Sequence, residues 1–145
     1  MERTPRCQLA IDHAAESYCR LSHSQLTSAH LVYGLLTLNG GVGDTVLKDA
    51  GLSAELVDRY LSINPSQAEE VIRQEGLVFG KSATNALARA EMEAAAFHHT
   101  ILGVEHLTLG LLAEEAGGAA AALFKLLRVD SAKLMQKILE DLGSG

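Results

Sequence analysis

The sequence of 145 residues predicts an all-α domain of eight helices, built as two pseudo-twofold-related copies of a four-helix unit. Three observations lead there. The first is an internal repeat. Ser22 to Leu36 reads S-H-S-Q-L-T-S-A-H-L-V-Y-G-L-L, and His98 to Leu112 reads H-H-T-I-L-G-V-E-H-L-T-L-G-L-L. His23, Leu26, His30, Leu31 and Gly34 thus recur as His99, Leu102, His106, Leu107 and Gly110, and a repeat at fixed spacing decides architecture before any local pattern does. The second is periodicity: Leu31, Leu35 and Leu38 share one helical face, and no stretch is read as alternating with the period of two of a strand. The third is composition. The chain is 48% hydrophobic but only 4% aromatic, with no Trp, which suits a Leu- and Ala-rich core of closely packed helices.

The repeat extends beyond the motif. Ala10, Ile11 and Ala14 align with Ala86, Leu87 and Ala90, and after an apparent two-residue insertion Ser53-Ala54-Glu55-Leu56 aligns with Ser131-Ala132-Lys133-Leu134. The expected division is a first repeat over about 3–62, a connector over about 63–78 and a second repeat over about 79–142, all in one domain, 1–145. A half of this size would be marginal alone, so the two are expected to share a core.

Taken in order, Thr4-Pro5 starts the first helix, an N-cap oxygen followed by proline at the first helical position. That helix is expected to reach Leu21, with Leu9, Ile11 and Ala14 turned inward. The second spans about Ser28 to Leu38 and stops at Asn39-Gly40-Gly41. The third covers about Gly43 to Ala50 and is closed by Gly51. Ser53 caps the fourth, which carries Leu56, Val57, Tyr60 and Leu61. Ile63 to Phe79, with Pro65 and the polar run Ser66 to Glu70, reads as the connector, with a short helical turn near Glu69 to Gln74. The second unit follows as about Ser82 to Phe97, Val104 to Glu114, Gly118 to Leu127 and Ser131 to Leu142, before a flexible Gly143-Ser144-Gly145. Gly34 and Gly110 sit inside helices, where glycine costs roughly 1 kcal/mol relative to alanine. The same cost taken at equivalent places implies that another helix crosses close to the backbone there.

Charge and chemistry narrow the function. A net charge of −6 without a cluster of Lys or Arg argues against nucleic acid, whose binding rests on phosphate neutralisation. No apolar run reaches the roughly 18 residues of a membrane helix, and the first residues do not read as a signal peptide. Cys7 and Cys19 on one helix would stand about 18 Å apart, so both are read as reduced, partly buried thiols of a cytoplasmic protein. Gly76 to Ser82 imitates a phosphate-binding loop but has three residues, not four, between its outer glycine and Gly80-Lys81. The six histidines follow from the duplication and lack accompanying ligands at metal spacing, so helix-end hydrogen bonding is the expected role. Glu91/Glu93 and Glu114/Glu115 read as solvated faces, and no nucleophile stands with an oriented base. Neither an enzyme, a metal site nor a cofactor site is expected.

The motif at His99 to Leu112, H-x-x-I/L-G-x-E-H-L-x-L-G-L-L, resembles the signature of the Clp amino-terminal repeat. The resemblance covers both repeats, the connector and the alanine-rich first helices, and Gly110 leans toward the ClpC-like branch. It implies a non-catalytic module that docks adaptor proteins and unfolded or tagged substrates for a Clp-type ATPase ring and its protease core. The alternative is a free-standing accessory protein that binds such a ring or core in trans. In ClpC-like members a Thr at the start of a repeat and a Glu before the motif histidine help to recognise phosphorylated arginine. The first repeat here keeps Thr4 but has Ala29 in the Glu position. The second keeps Glu105 but has Gly80 in the Thr position. Thr4 and Glu105 are therefore the expected binding residues, with the second repeat the better site.

Overall fold

The computed structural model describes residues 1–65 and 67–144. Among them the chain forms eight helices: α1 (Pro5–Arg20), α2 (Ser28–Leu36), α3 (Val42–Asp49), α4 (Ala54–Ile63), α5 (Lys81–Ala96), α6 (Val104–Leu112), α7 (Ala119–Leu126) and α8 (Ser131–Ser144). The all-α class and the helix order are as the repeat implies. Thr4 caps α1 with its side-chain oxygen, which accepts from the Cys7 N–H at 3.1 Å, and Pro5 takes the first helical position. The buried stripe of α1 is Cys7, Ala10, Ile11, Ala14, Ser17 and Tyr18, a run of three- and four-residue steps. Leu9 falls two residues from Ile11, on the other side of the helix, and is exposed rather than inward. Cys19 is likewise exposed, while Cys7 is fully buried. The last helix continues through Gly143 to Ser144 instead of fraying after Leu142, and Gly145 lies outside the described residues.

Four short strands correct the expectation of helix and loop alone. In the connector, β2 (Val71–Gln74) pairs antiparallel with β3 (Leu77–Gly80), where a helical turn was expected. The reason is local: the β-branched Val71-Ile72 and the apolar Leu77-Val78-Phe79 flank a two-residue turn, Glu75-Gly76, with φ of 56° and 75°. Positive φ at both central residues is the hairpin turn whose twist matches its strands. Gly76 therefore belongs to a hairpin, and the segment after it is a paired strand. Ser66, part of the expected polar run, lies outside the described residues.

The other two strands join the repeats. β1 (Glu2–Arg3) pairs parallel with β4 (Ile101–Leu102), matching Arg3 to Leu102. An isolated parallel bridge matches Leu26 to Phe79. Phe79 is the repeat-two equivalent of Arg3, and Leu102 that of Leu26. Each repeat thus lends its leading segment to the motif turn of the other. The Thr4 N–H donates to the Leu102 carbonyl at 2.9 Å, and the Gly80 N–H to the Leu26 carbonyl at 2.8 Å.

The repeat is visible in backbone conformation as well. The chain leaves α1 through Ser22 at φ 57° and leaves α5 through His98 at φ 60°. Gly40 and Gly117 both take positive φ, as do Gly51 and Arg128. These later pairs, together with the caps Ser53 and Asp130, fix a one-residue insertion rather than two. Ser53 matches Asp130, not Ser131, so Val57 and Leu61 fall on Leu134 and Ile138, and all four are buried. One continuous core runs through both halves, from Ile11 and Leu35 to Leu107 and Ile138. At Gly34, an added methyl would overlap the Ala10 carbonyl; at Gly110 it would stand 2.5 Å from that of Ala86. The crossing helices meet backbone to backbone at both places.

Candidate protein-binding site

Two pseudo-equivalent seams lie where a helix-leading segment of one repeat meets the motif turn of the other. The crossed pairing changes the grouping of residues. Thr4 lies against the turn that leads into α6, three residues ahead of Glu105, while Gly80 lies against the turn that leads into α2 and Ala29. The surviving Thr and Glu thus belong to one seam, and the two departures belong to the other.

The first seam is built around Glu105. Glu105, the second residue of α6, has a side chain 34% exposed, and a methyl group on Gly103 would overlap its carboxylate, which folds back over the helix start. Gly103 has no side chain to cap α6, and Glu105 is the one residue of its first turn that is not buried, at the positive end of the helix dipole. Cys7, one turn into α1, feels both Arg3 and Glu105. Burial dominates, pushing its thiol up to about 11, with Arg3 opposing and Glu105 adding to the shift. Around this centre Arg3 donates to Gln8 Oε1 at 3.0 Å, and Arg6 reaches the buried Asp44 at 3.4 Å. Arg3 and Glu105 thus bring charges of both signs to bear on Cys7.

The second seam holds a carboxylate from the connector. Ala29 is 1% exposed and lines a cleft together with Gln67, Glu69 and Tyr60. The Glu69 carboxylate accepts from the Ser82 N–H at 2.8 Å and from the Ser82 hydroxyl at 2.9 Å. Ser82 Oγ in turn accepts from the Ser28 N–H at 3.0 Å. Ser28 Oγ donates to Glu114 at 2.7 Å and accepts from the Ala120 N–H at 2.8 Å, while Glu114 accepts from the Ala121 N–H at 2.7 Å. Three helix starts, those of α2, α5 and α7, converge on two carboxylates and two serines. Glu114 is therefore not on a solvated face: its side chain is 5% exposed and burial raises its pKa, against hydrogen bonds from Ser28 and the α7 backbone. The N-cap of α5 is Gly80, two residues before Ser82.

The histidines tie the turns together. Thr27 N–H donates to His30 Nδ1 at 2.8 Å, which leaves Nε2 to donate to His23 Nδ1, also at 2.8 Å. In repeat two the Gly103 N–H donates to His106 Nδ1 at 2.9 Å, and His106 Nε2 meets His99 Nδ1 at 2.8 Å. Each motif histidine thus caps its own helix and holds the histidine that ends the preceding one. The expected bonding to exposed backbone is present, and the histidine-to-histidine bond is an addition. Burial drives His30 down to about 3, with His23 adding to the shift, and lowers His106 and His23 as well.

Sequence reasoning named Thr4 and Glu105 but not Gln25, Glu69, Ser82, Ser28 and Glu114. A serine near a helix start reads as a cap, and nothing in sequence shows that two such serines meet across the repeats.

A duplicated four-helix unit with exchanged leading segments and histidine-capped turns defines a tandem-repeat helical domain. The family model of the Clp repeat N-terminal domain matches residues 2–125 and, as a second match, 78–145, and the chain belongs to that family. Among curated proteins it is 30% identical over 141 residues to the ATP-dependent Clp protease ATP-binding subunit ClpC of Staphylococcus saprophyticus, and 29% identical to that of Staphylococcus epidermidis. Those matches cover 97% of this chain and 17% of each relative, so the chain spans about a sixth of their length. Among solved structures, the N-terminal domain of the chaperone ClpD from Arabidopsis thaliana superposes with a TM-score of 0.79 at 19% identity, covering 98% of this chain and 95% of the other. The N-terminal domain of Hsp104 from Candida albicans gives 0.78 at 20% identity, covering 100% and 94%. These two likenesses establish the fold.

Proposed function

We propose that this chain docks proteins without chemistry of its own, presenting adaptors and unfolded or tagged substrates to a Clp-type ATPase ring, and that Thr4 and Glu105 mark the docking seam. The observation that carries the reading is the crossed pairing, which sets Thr4 against the turn leading to the part-exposed Glu105 at the start of α6. The ligand chemistry that fits is a guanidinium joined to a phosphate. The Glu105 carboxylate takes the guanidinium through a charge-assisted bond, and the N–H groups of the first turn of α6 take the phosphate. Phosphoarginine on a partner protein has both parts. A cytoplasmic setting belongs to the same reading, and the two free cysteines agree with it. Among the described residues no helix is long and apolar enough to cross a membrane.

Calorimetric titration with an arginine-phosphorylated protein tests the proposal. A charge-assisted bond contributes about 1.5–3 kcal/mol, so Glu105→Ala should weaken binding by roughly 10- to 100-fold. Unchanged affinity would place the capture of partners elsewhere on the domain.

A further inference from the structure

The pseudo-twofold repeat provides two places for a ligand of this kind, yet the second is already occupied from within. We infer that Glu69, held in place by Gln25, is a built-in occupant that makes this domain a single-site receptor. This rests on the docking seam proposed above.

Thr4 and Gly80 have nearly the same backbone conformation, φ −65° and ψ 157° against φ −73° and ψ 160°. A threonine would therefore suit position 80 as far as the backbone is concerned. Space forbids it. A Cβ on Gly80 would stand 2.5 Å from Glu69 Oε1 and 3.2 Å from its carboxyl carbon. The carboxylate occupies the volume that a Thr4-like side chain would take, and it caps the first turn of α5 at the Ser82 N–H, one residue before Ala83, the equivalent of Cys7, whose N–H donates to Thr4. It is an anion seated at the start of α5, and through the Ser82 hydroxyl it also ties up the Ser28 N–H at the start of α2, the equivalent of the α6 start proposed for a ligand phosphate.

The connector is anchored for this purpose. Gln25 is 3% exposed, and its amide is used at both ends: Nε2 donates to the Gln67 carbonyl at 2.6 Å, and Oε1 accepts from the Glu69 N–H at 3.1 Å. Its repeat-two equivalent is Ile101, which pairs with β1 and has no such role. The two seams thus differ in a coordinated way. Where the Glu105 equivalent is the buried Ala29 and the Thr4 equivalent is Gly80, the chain supplies its own carboxylate and a buried amide to fix it.

The test is a titration of the 15N-labelled chain with free phosphoarginine, followed by backbone amide shifts. The wild type should show one saturable set of shifts, in the first turns of α1 and α6, with the amides of Ser28 and Ser82 unmoved. Glu69→Ala and, independently, Gln25→Ala, each combined with Ala29→Glu to supply the missing carboxylate, should add a second set at Ser28 and Ser82, with the rest of the spectrum retained as evidence of an intact fold, whereas Ala29→Glu alone should not. Two sets in the wild type or in Ala29→Glu alone, or no second set in either folded double variant, would overturn the inference while leaving the Glu105 seam standing. No shifts at Glu105 in any form would overturn the docking seam itself, and the inference with it.

Discussion

Gly110 packs against Ala86 so closely that a methyl group on it would stand 2.5 Å from the Ala86 carbonyl oxygen and 2.9 Å from the Ala90 nitrogen. Both contacts are backbone, so neither can swing away. Gly110→Ala should therefore lose the roughly 1 kcal/mol helix-propensity gain and destabilise by about 1–3 kcal/mol through overpacking. Gly34→Ala, which overlaps the Ala10 carbonyl more deeply, should cost at least as much. Denaturant unfolding checks both, and a variant as stable as wild type would show that the helices separate freely.

The histidine caps make stability depend on pH. His30 is held neutral in the fold, down to about 3, and His106 and His23 are also lowered, while all three recover an ordinary value near 6.5 on unfolding. Between those values the unfolded chain binds protons that the folded chain refuses. Stability should be fully present above about pH 6.5 and fall as the pH drops toward 3, by at most about 1.4 kcal/mol per pH unit for each histidine. Melting temperature against pH measures this, and His30→Gln should flatten the slope. A slope that is the same in that variant would contradict the assignment.

Glu114 should be structural. Glu114→Ala leaves the Ser28 hydroxyl and the Ala121 N–H without their acceptor in a buried setting, which costs about 1–3 kcal/mol. Glu114→Gln keeps one acceptor and should lose less. Equal stability of the alanine variant and the wild type, by thermal melting, would mean that water replaces the carboxylate.

The motif that repeats was enough to order the helices, place Gly34 and Gly110 at close crossings and single out Thr4 and Glu105, because local periodicity and caps carry that information. Three features were hidden. The Glu75-Gly76 hairpin lay under a polar connector, although Val71-Ile72 and Leu77-Val78-Phe79 around a two-residue turn were its signal. The exchange of Arg3 and Phe79 between repeats is a long-range pairing that no local pattern encodes, so Thr4 and Glu105 were assigned to different sites. The burial of Glu114 depends on Ser28, 86 residues away, and a sequence window cannot see it.

The central claim is that Thr4 and Glu105 act at one seam, and a double-mutant cycle tests it most directly. Affinity for phosphoarginine is measured for Thr4→Ala, Glu105→Ala and the pair, with Thr4→Ser as the control that keeps the α1 cap. Each alanine variant should weaken binding, Glu105→Ala more strongly. The double variant should be less damaging than the sum of the two by at least about 0.5 kcal/mol, the coupling expected of groups that share a ligand. Strictly additive losses would place the two residues at separate sites and contradict the account.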